Sequence, residues 1–143
     1  MSVVTIEESP MYVENIISNV VARSRVADVP LATSKMLDYV QHSSQIFIGR
    51  VDGVIACMWG IIRPSILSGE GYIWLLTTDL AEEHKFLLIR HSQLHIKRLL
   101  TSYSILIGDC AIEDVRAHKW LKFLGAKFDF PVGHTVPFRI EKH

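Results

Sequence analysis

The sequence predicts one α/β domain over residues 1–143, a mixed, mostly antiparallel central sheet with helices on both faces, in the order β-α-α-β-β-β-α-β-α-β-β. Three observations predict it. Apolar residues switch between helical and strand spacing along the chain. Asp52-Gly53 separates two short apolar runs, the mark of a tight hairpin. A nearly continuous apolar run at 72–77 precedes a long helical pattern and another short apolar run, which is a β-α-β unit with a covered central strand. With 143 residues, 49% of them apolar, such a domain has a sufficient core without disulfides or metal.

The elements follow in order. Val3 to Glu7 reads as a short strand. Ser9-Pro10 offers an N-cap and a proline at the first helical position, where no hydrogen bond is lost. Val13, Ile16, Ile17, Val20 and Val21 then give one apolar helix face. A second helix covers about 33–42 and is expected to bury Met36, Leu37 and Val40. Ile46 to Ile48 and Val54 to Trp59 form the hairpin. Pro64 ends it, and Gly69-Glu70-Gly71 turns the chain into the strand Tyr72 to Thr77. Thr78 or Asp79 is expected to cap one long helix from about Glu82 to Thr101. Phe86, Leu88, Ile89, Ile96, Leu99 and Leu100 share an arc of roughly 160° on that helix. Ser104 to Ile107 is a fifth strand. Asp114 caps a helix carrying Ala117, Trp120, Leu121 and Leu124 at core spacing, and Gly125 is its left-handed stop. Ala126 to Phe130 and Val136 to Ile140 close the sheet around the turn Pro131 to His134.

Composition excludes several classes of partner. Fifteen basic side chains balance fifteen acidic ones, so no net field draws the chain to nucleic acid or an anionic membrane. Val54 to Ile62, the longest apolar run, is about half of what a bilayer span needs. The first residues lack the basic start and apolar block of a signal peptide, so a soluble, reduced intracellular product is expected. Cys57 and Cys110 are expected as small buried hydrophobes rather than a disulfide. His91 and His95 stand one turn apart, but Ser92 replaces the glutamate of a His-Glu-x-x-His site and no third ligand is evident, so no metal is expected. Arg90, Lys97 and Arg98, with Arg116, Lys119 and Lys122, form a basic patch if their helices share a side. Leu87 and Leu94 lie off the main apolar stripe and fit either a widened core contact or a small subunit interface.

The order of elements, together with Asp114-Val115-Arg116-Ala117-His118-Lys119-Trp120-Leu121-Lys122-Phe123-Leu124-Gly125-Ala126-Lys127-Phe128, resembles the GNAT superfamily of acyl-CoA-dependent N-acyltransferases, in which a capped helix ends in Leu-Gly-Phe. Trp74-Leu75-Leu76-Thr77-Thr78, with Trp120 to Gly125, is similar to GNAT-like proteins of short-tailed bacteriophages, some of them internal virion or infection-accessory proteins. The resemblance implies that main-chain groups of Trp74, Leu75, Leu76 and Thr77 hold the pantetheine arm of acetyl-CoA if it binds, with His84 and Lys85 near its phosphates.

Three family features can be compared with the chain. The Gln/Arg-x-x-Gly-x-Gly/Ala loop, whose glycines let backbone N–H groups approach a diphosphate, is absent, for no glycine stands between Gly71 and Gly108. Thr77 to Lys85 carries three carboxylates against one lysine instead. One like-charge pair at about 5 Å costs on the order of 3 kcal/mol at an effective dielectric near 20. Leu121 occupies the position of the family's general-acid tyrosine, leaving Tyr72 or Tyr103 as substitutes from elsewhere. Asp114 replaces an asparagine and caps equally well.

The leading expectation is therefore a phage virion-associated or infection-accessory module for binding or assembly, with its acyl-CoA machinery degraded and no cofactor. The alternative is an active acetyl-CoA-dependent N-acetyltransferase acting on an amine of a protein or small molecule. Expected partners are phage virion or host proteins, or further copies of the chain, in the virion or the host cytoplasm.

Overall fold

The computed structural model describes residues 2–9, 14–24, 29–64 and 67–142. It has seven strands: β1 (Val4–Glu8), β2 (Gln45–Val51), β3 (Val54–Ile62), β4 (Glu70–Thr77), β5 (Ile105–Ala111), β6 (Lys127–Phe128) and β7 (Thr135–Glu141). They form one mixed sheet in the order β1-β2-β3-β4-β5-β7-β6, in which β4 and β5 run parallel while β1–β2, β2–β3, β5–β7 and β6–β7 are antiparallel. The helices are α1 (Glu14–Ala22), α2 (Val29–His42), α3 (Asp79–Glu83), α4 (Lys85–Ser102) and α5 (Val115–Phe123). Contacts divide the chain into two compact units, residues 1–62 with 74–88, and residues 63–73 with 89–143.

In the first unit the hairpin forms where Asp-Gly demands it, with φ of 50° at Asp52 and 83° at Gly53. A bulge follows at Gly49/Arg50, and a Cβ on Gly49 would stand 2.7 Å from the Cys57 sulfur, so the strands approach here because the residue has no side chain. Ile17, Val20, Val21, Val40, Ile48, Met58 and Ile61 are buried. Arg23 Nη2 donates to the Ile55 carbonyl at 2.8 Å. The proposed Ser9-Pro10 helix start involves residues 10–13, which lie outside the described residues. The second helix starts at Val29, earlier than expected, because Pro30 fits a first helical turn. Met36 and Leu37 are half-buried rather than core.

The expected single long helix is two. Thr78 does not cap with its side chain: its hydroxyl donates to the Ala56 carbonyl at 2.8 Å, beside the Thr78 N–H at 2.9 Å. Asp79 is already the first residue of α3, which ends after one turn at His84, whose φ of −119° and ψ of 29° leave the helical region. Phe86, placed on the apolar arc by its spacing, is 75% exposed, because α4 begins only one residue earlier.

In the second unit, Glu70, Gly71 and Tyr72 pair in parallel with Ile105, Leu106 and Ile107, and β7 runs antiparallel to β5 along its whole length. Asp114 Oδ1 accepts from the Ala117 N–H at 3.0 Å, Gly125 has φ of 94°, and Trp120 and Leu121 are buried, as the spacing predicts. The strand expected over 126–130 is only two residues long, since Phe130 is solvent-exposed and Pro131 has no N–H to offer a ladder.

Candidate functional site

The residues assigned to cofactor binding by resemblance all lie in the first unit. Trp74 is buried: its indole Nε1 donates to Ser43 Oγ at 2.8 Å, its ring stacks on Tyr39 at 6.2 Å, and Gly60 supplies the flat surface beneath it. Leu76 is also buried, while Leu75 and Thr77 are half-buried. The strand side chains thus serve mainly the core. Thr78 then fixes the chain to β3 and directs it into α3.

The break at His84 changes the electrostatics expected from the sequence. Asp79, Glu82 and Glu83 belong to α3, and α4 opens afresh at Lys85 with no acidic residue in its first turn. The long helix therefore keeps its own N-terminal N–H groups, flanked by His84 and Lys85, and Glu82 and Glu83 are exposed on the preceding turn. Lys85 Nζ lies 5.4 Å from the Phe86 ring centroid. His84 and Lys85 are thereby brought to one helix start, and no sequence signal marked the break, because neither glycine nor proline stands there.

In the second unit, one pair of polar side chains has the chemistry of proton transfer. Tyr72 on β4 donates its hydroxyl hydrogen to Asp109 Oδ2 on β5 at 3.0 Å. Tyr72 is half-buried and Asp109 exposed, so both are reachable from solvent. Sequence reasoning named Tyr72 and missed Asp109, because their meeting depends on the parallel register Tyr72↔Ile107, which places Asp109 two residues further along β5. Tyr103, the other candidate, is buried, with the Arg63 guanidinium 4.7 Å from its ring centre.

Leu121 is core, as its stripe predicts. Cys57 and Cys110 are buried free thiols. Burial, against a weaker opposing bond from the Gly49 backbone, pushes the Cys57 thiol up to about 12, and burial with the nearby Asp114 carboxylate pushes Cys110 up to about 11. Both shifts favour the protonated thiol over the thiolate. Among the described residues no group of three or more His, Cys, Asp or Glu is placed to hold a metal, and no helix is long and apolar enough to cross a membrane. His118, on the face of α5, stacks on Phe128 at 4.8 Å.

Comparison with known proteins finds a likeness of fold alone. No family model matches the sequence, and no curated protein matches it. Among solved structures, a spermidine N-acetyltransferase chimera from Vibrio cholerae SpeG and hSSAT superposes with a TM-score of 0.69 at 9% identity, covering 96% of this chain and 95% of that one. The aminoglycoside acetyltransferase AAC(6')-Ib, in complex with ribostamycin and coenzyme A, gives 0.70 at 14% identity, covering 97% and 93%. A putative acetyltransferase of the GNAT family from Desulfovibrio desulfuricans gives 0.70 at 11% identity, covering 97% and 99%. With its sheet order and its helices, the chain has the fold of the GNAT acetyltransferases.

Proposed function

We propose that the chain is an N-acetyltransferase, moving an acetyl group from acetyl-CoA, as substrate, to a primary amine. The observation that carries this reading is the Tyr72–Asp109 hydrogen bond at 3.0 Å, an accessible proton donor and acceptor on neighbouring strands of an acetyltransferase fold. The transfer forms a C–N bond and breaks a C–S bond, so the amine must lose a proton and the departing thiolate must gain one. Asp109 suits the first task and Tyr72 the second, and their hydrogen bond offers the path by which the proton returns from carboxyl to phenolate. The N–H groups at the start of α4, with Lys85 and His84, suit the donor's diphosphate, since the acidic residues belong to α3.

A second reading follows from a specific observation: the loop without glycines, preceded by Glu82 and Glu83, opposes a diphosphate. On that reading the fold serves as a binding or assembly module, and the weaker phage resemblance would place it in a virion or in an infected host. Isothermal titration with acetyl-CoA, followed by thiol release in the presence of a polyamine or an aminoglycoside, separates the two. Saturable binding with amine-dependent thiol release is expected. Absence of binding overturns the enzyme reading and leaves the module, which mass spectrometry of purified particles then tests.

A further inference from the structure

A groove of about 730 Å³ runs through the second unit, between α4, the C-terminal end of α5 and the end of β7. Its floor is apolar, with Ile96, Leu100 and Ile140 buried there, and two large apolar side chains on its walls remain uncovered: Leu94 is 58% exposed and Phe123 57%. Gln93 ties the walls together, its Nε2 donating to the Phe123 carbonyl at 2.8 Å.

The rim is cationic. Arg90, Lys97 and Lys142 line the groove and are exposed, and among the described residues none of these three side chains has an ion-pair partner. The one carboxylate in the lining, Glu141, is engaged by Arg139 Nε at 3.0 Å. The unit that holds the groove has ten Lys and Arg against six Asp and Glu, so its own balance does not offset the rim.

Spacing adds a direction to that charge. Arg90 stands four residues before Leu94 on α4 and Lys97 three after it, so the two cations flank the apolar wall one turn to either side on the same flank of the helix. They are about 10 Å apart along the helix axis. A single small headgroup meets one of them. A chain with carboxylates on both sides of an apolar side chain meets both, and Lys142, just past β7, adds a third cation.

We propose that the groove binds an acidic peptide segment of a partner protein, an amphipathic helix laid along α4. One bulky apolar side chain of the segment enters between Leu94 and Phe123, and carboxylates a turn before and a turn after it face Arg90 and Lys97. The segment would therefore carry Asp or Glu three or four residues to each side of a Leu or Phe. None of Tyr72, Asp109, His84 and Lys85 lines the groove, so the proposal stands apart from acetyl transfer.

Fluorescence anisotropy of the full chain with a panel of labelled synthetic helical peptides of that pattern tests it. Saturable binding that weakens with added salt is expected for at least one member. Replacing the peptide's apolar residue by Ser, or both flanking acids by Lys, should weaken it by about tenfold or more. Arg90→Glu with Lys97→Glu, and separately Leu94→Ser, all at exposed positions, should do the same, while Arg90→Lys with Lys97→Arg should retain binding. Amide NMR shifts on adding peptide should centre on Leu94, Lys97 and Phe123. The proposal is overturned if no member of the panel binds up to millimolar concentration, if the charge-reversed protein binds as well as the parent, or if the peptide lacking its apolar residue binds equally well. It is overturned too if the groove amides shift on raising protein concentration alone, or with a long-chain fatty acid, and not with any peptide.

Discussion

Tyr72 and Asp109 are ordinary residues until the parallel register brings them to 3.0 Å, and their roles separate in kinetics. Tyr72→Phe removes the proton donor and keeps the ring, so kcat should fall about a hundredfold while acetyl-CoA affinity, measured by titration, stays unchanged. Asp109→Asn should lower the rate at neutral pH, because the amide cannot take up a proton. The two thiols make a prediction about stability. Each is raised in the folded state from 9.0, to about 12 for Cys57 and about 11 for Cys110, so the unfolded chain releases these protons first. Stability from this source is constant below pH 9 and falls as pH rises above it, until the folded thiols titrate in turn. Urea midpoints measured from neutral to alkaline pH should show this loss, and Cys57→Ala with Cys110→Ala should remove part of it.

At the scale of elements, close packing decides more than propensity. A Cβ on Gly60 would lie 2.4 Å from Trp74 Nε1, against an indole held by Ser43 and Tyr39. Gly60→Ala should therefore cost about 1–3 kcal/mol of unfolding free energy in urea titration. Thr78→Val should cost about 1 kcal/mol, through the lost bond to the Ala56 carbonyl, and should loosen α3 in hydrogen exchange. The sequence made the Asp52-Gly53 hairpin and the Asp114-to-Gly125 helix legible, since each is fixed by local chemistry: positive φ in one, a cap and a stop in the other. Its silence on the α3–α4 break has an equally physical cause. Spacing extends one helix back through His84, whereas the structure buries Thr78, just before α3, and Ala81 of α3 on one side of the break and Leu88 of α4 on the other. Phe86 fell on the same arc and is solvent-facing, because periodicity reports the phase of a helix and not where its cover ends. The Tyr72–Asp109 pair was half-legible for a related reason: strand content is local, and the register between β4 and β5 is not.

Across the whole molecule, net charge conceals a polarity that a residue count cannot show. The zero balance leaves the chain without net charge, yet the two contact units divide the charges ten to six and five to nine. That division was invisible in sequence order, because β4 gives its first half to one unit and its second to the other, so that neither unit is a continuous stretch. A neutral chain with opposed halves attracts its own kind most strongly where its net charge vanishes, which the composition places near pH 7.1. Attraction between opposed charges on separate molecules is screened over about 8 Å at physiological ionic strength, so added salt should weaken it. Static light scattering at neutral pH should therefore give a negative second virial coefficient at low ionic strength that rises with sodium chloride. The Glu82→Lys, Glu83→Lys protein, with two carboxylates of the acidic unit replaced by lysines, lowers the contrast and gains net positive charge, and its coefficient should be higher than that of the parent at the same low salt. A parent coefficient that is positive at low salt and falls as salt is added would mean that repulsion governs the encounter, and the polarity would then have no part in self-association.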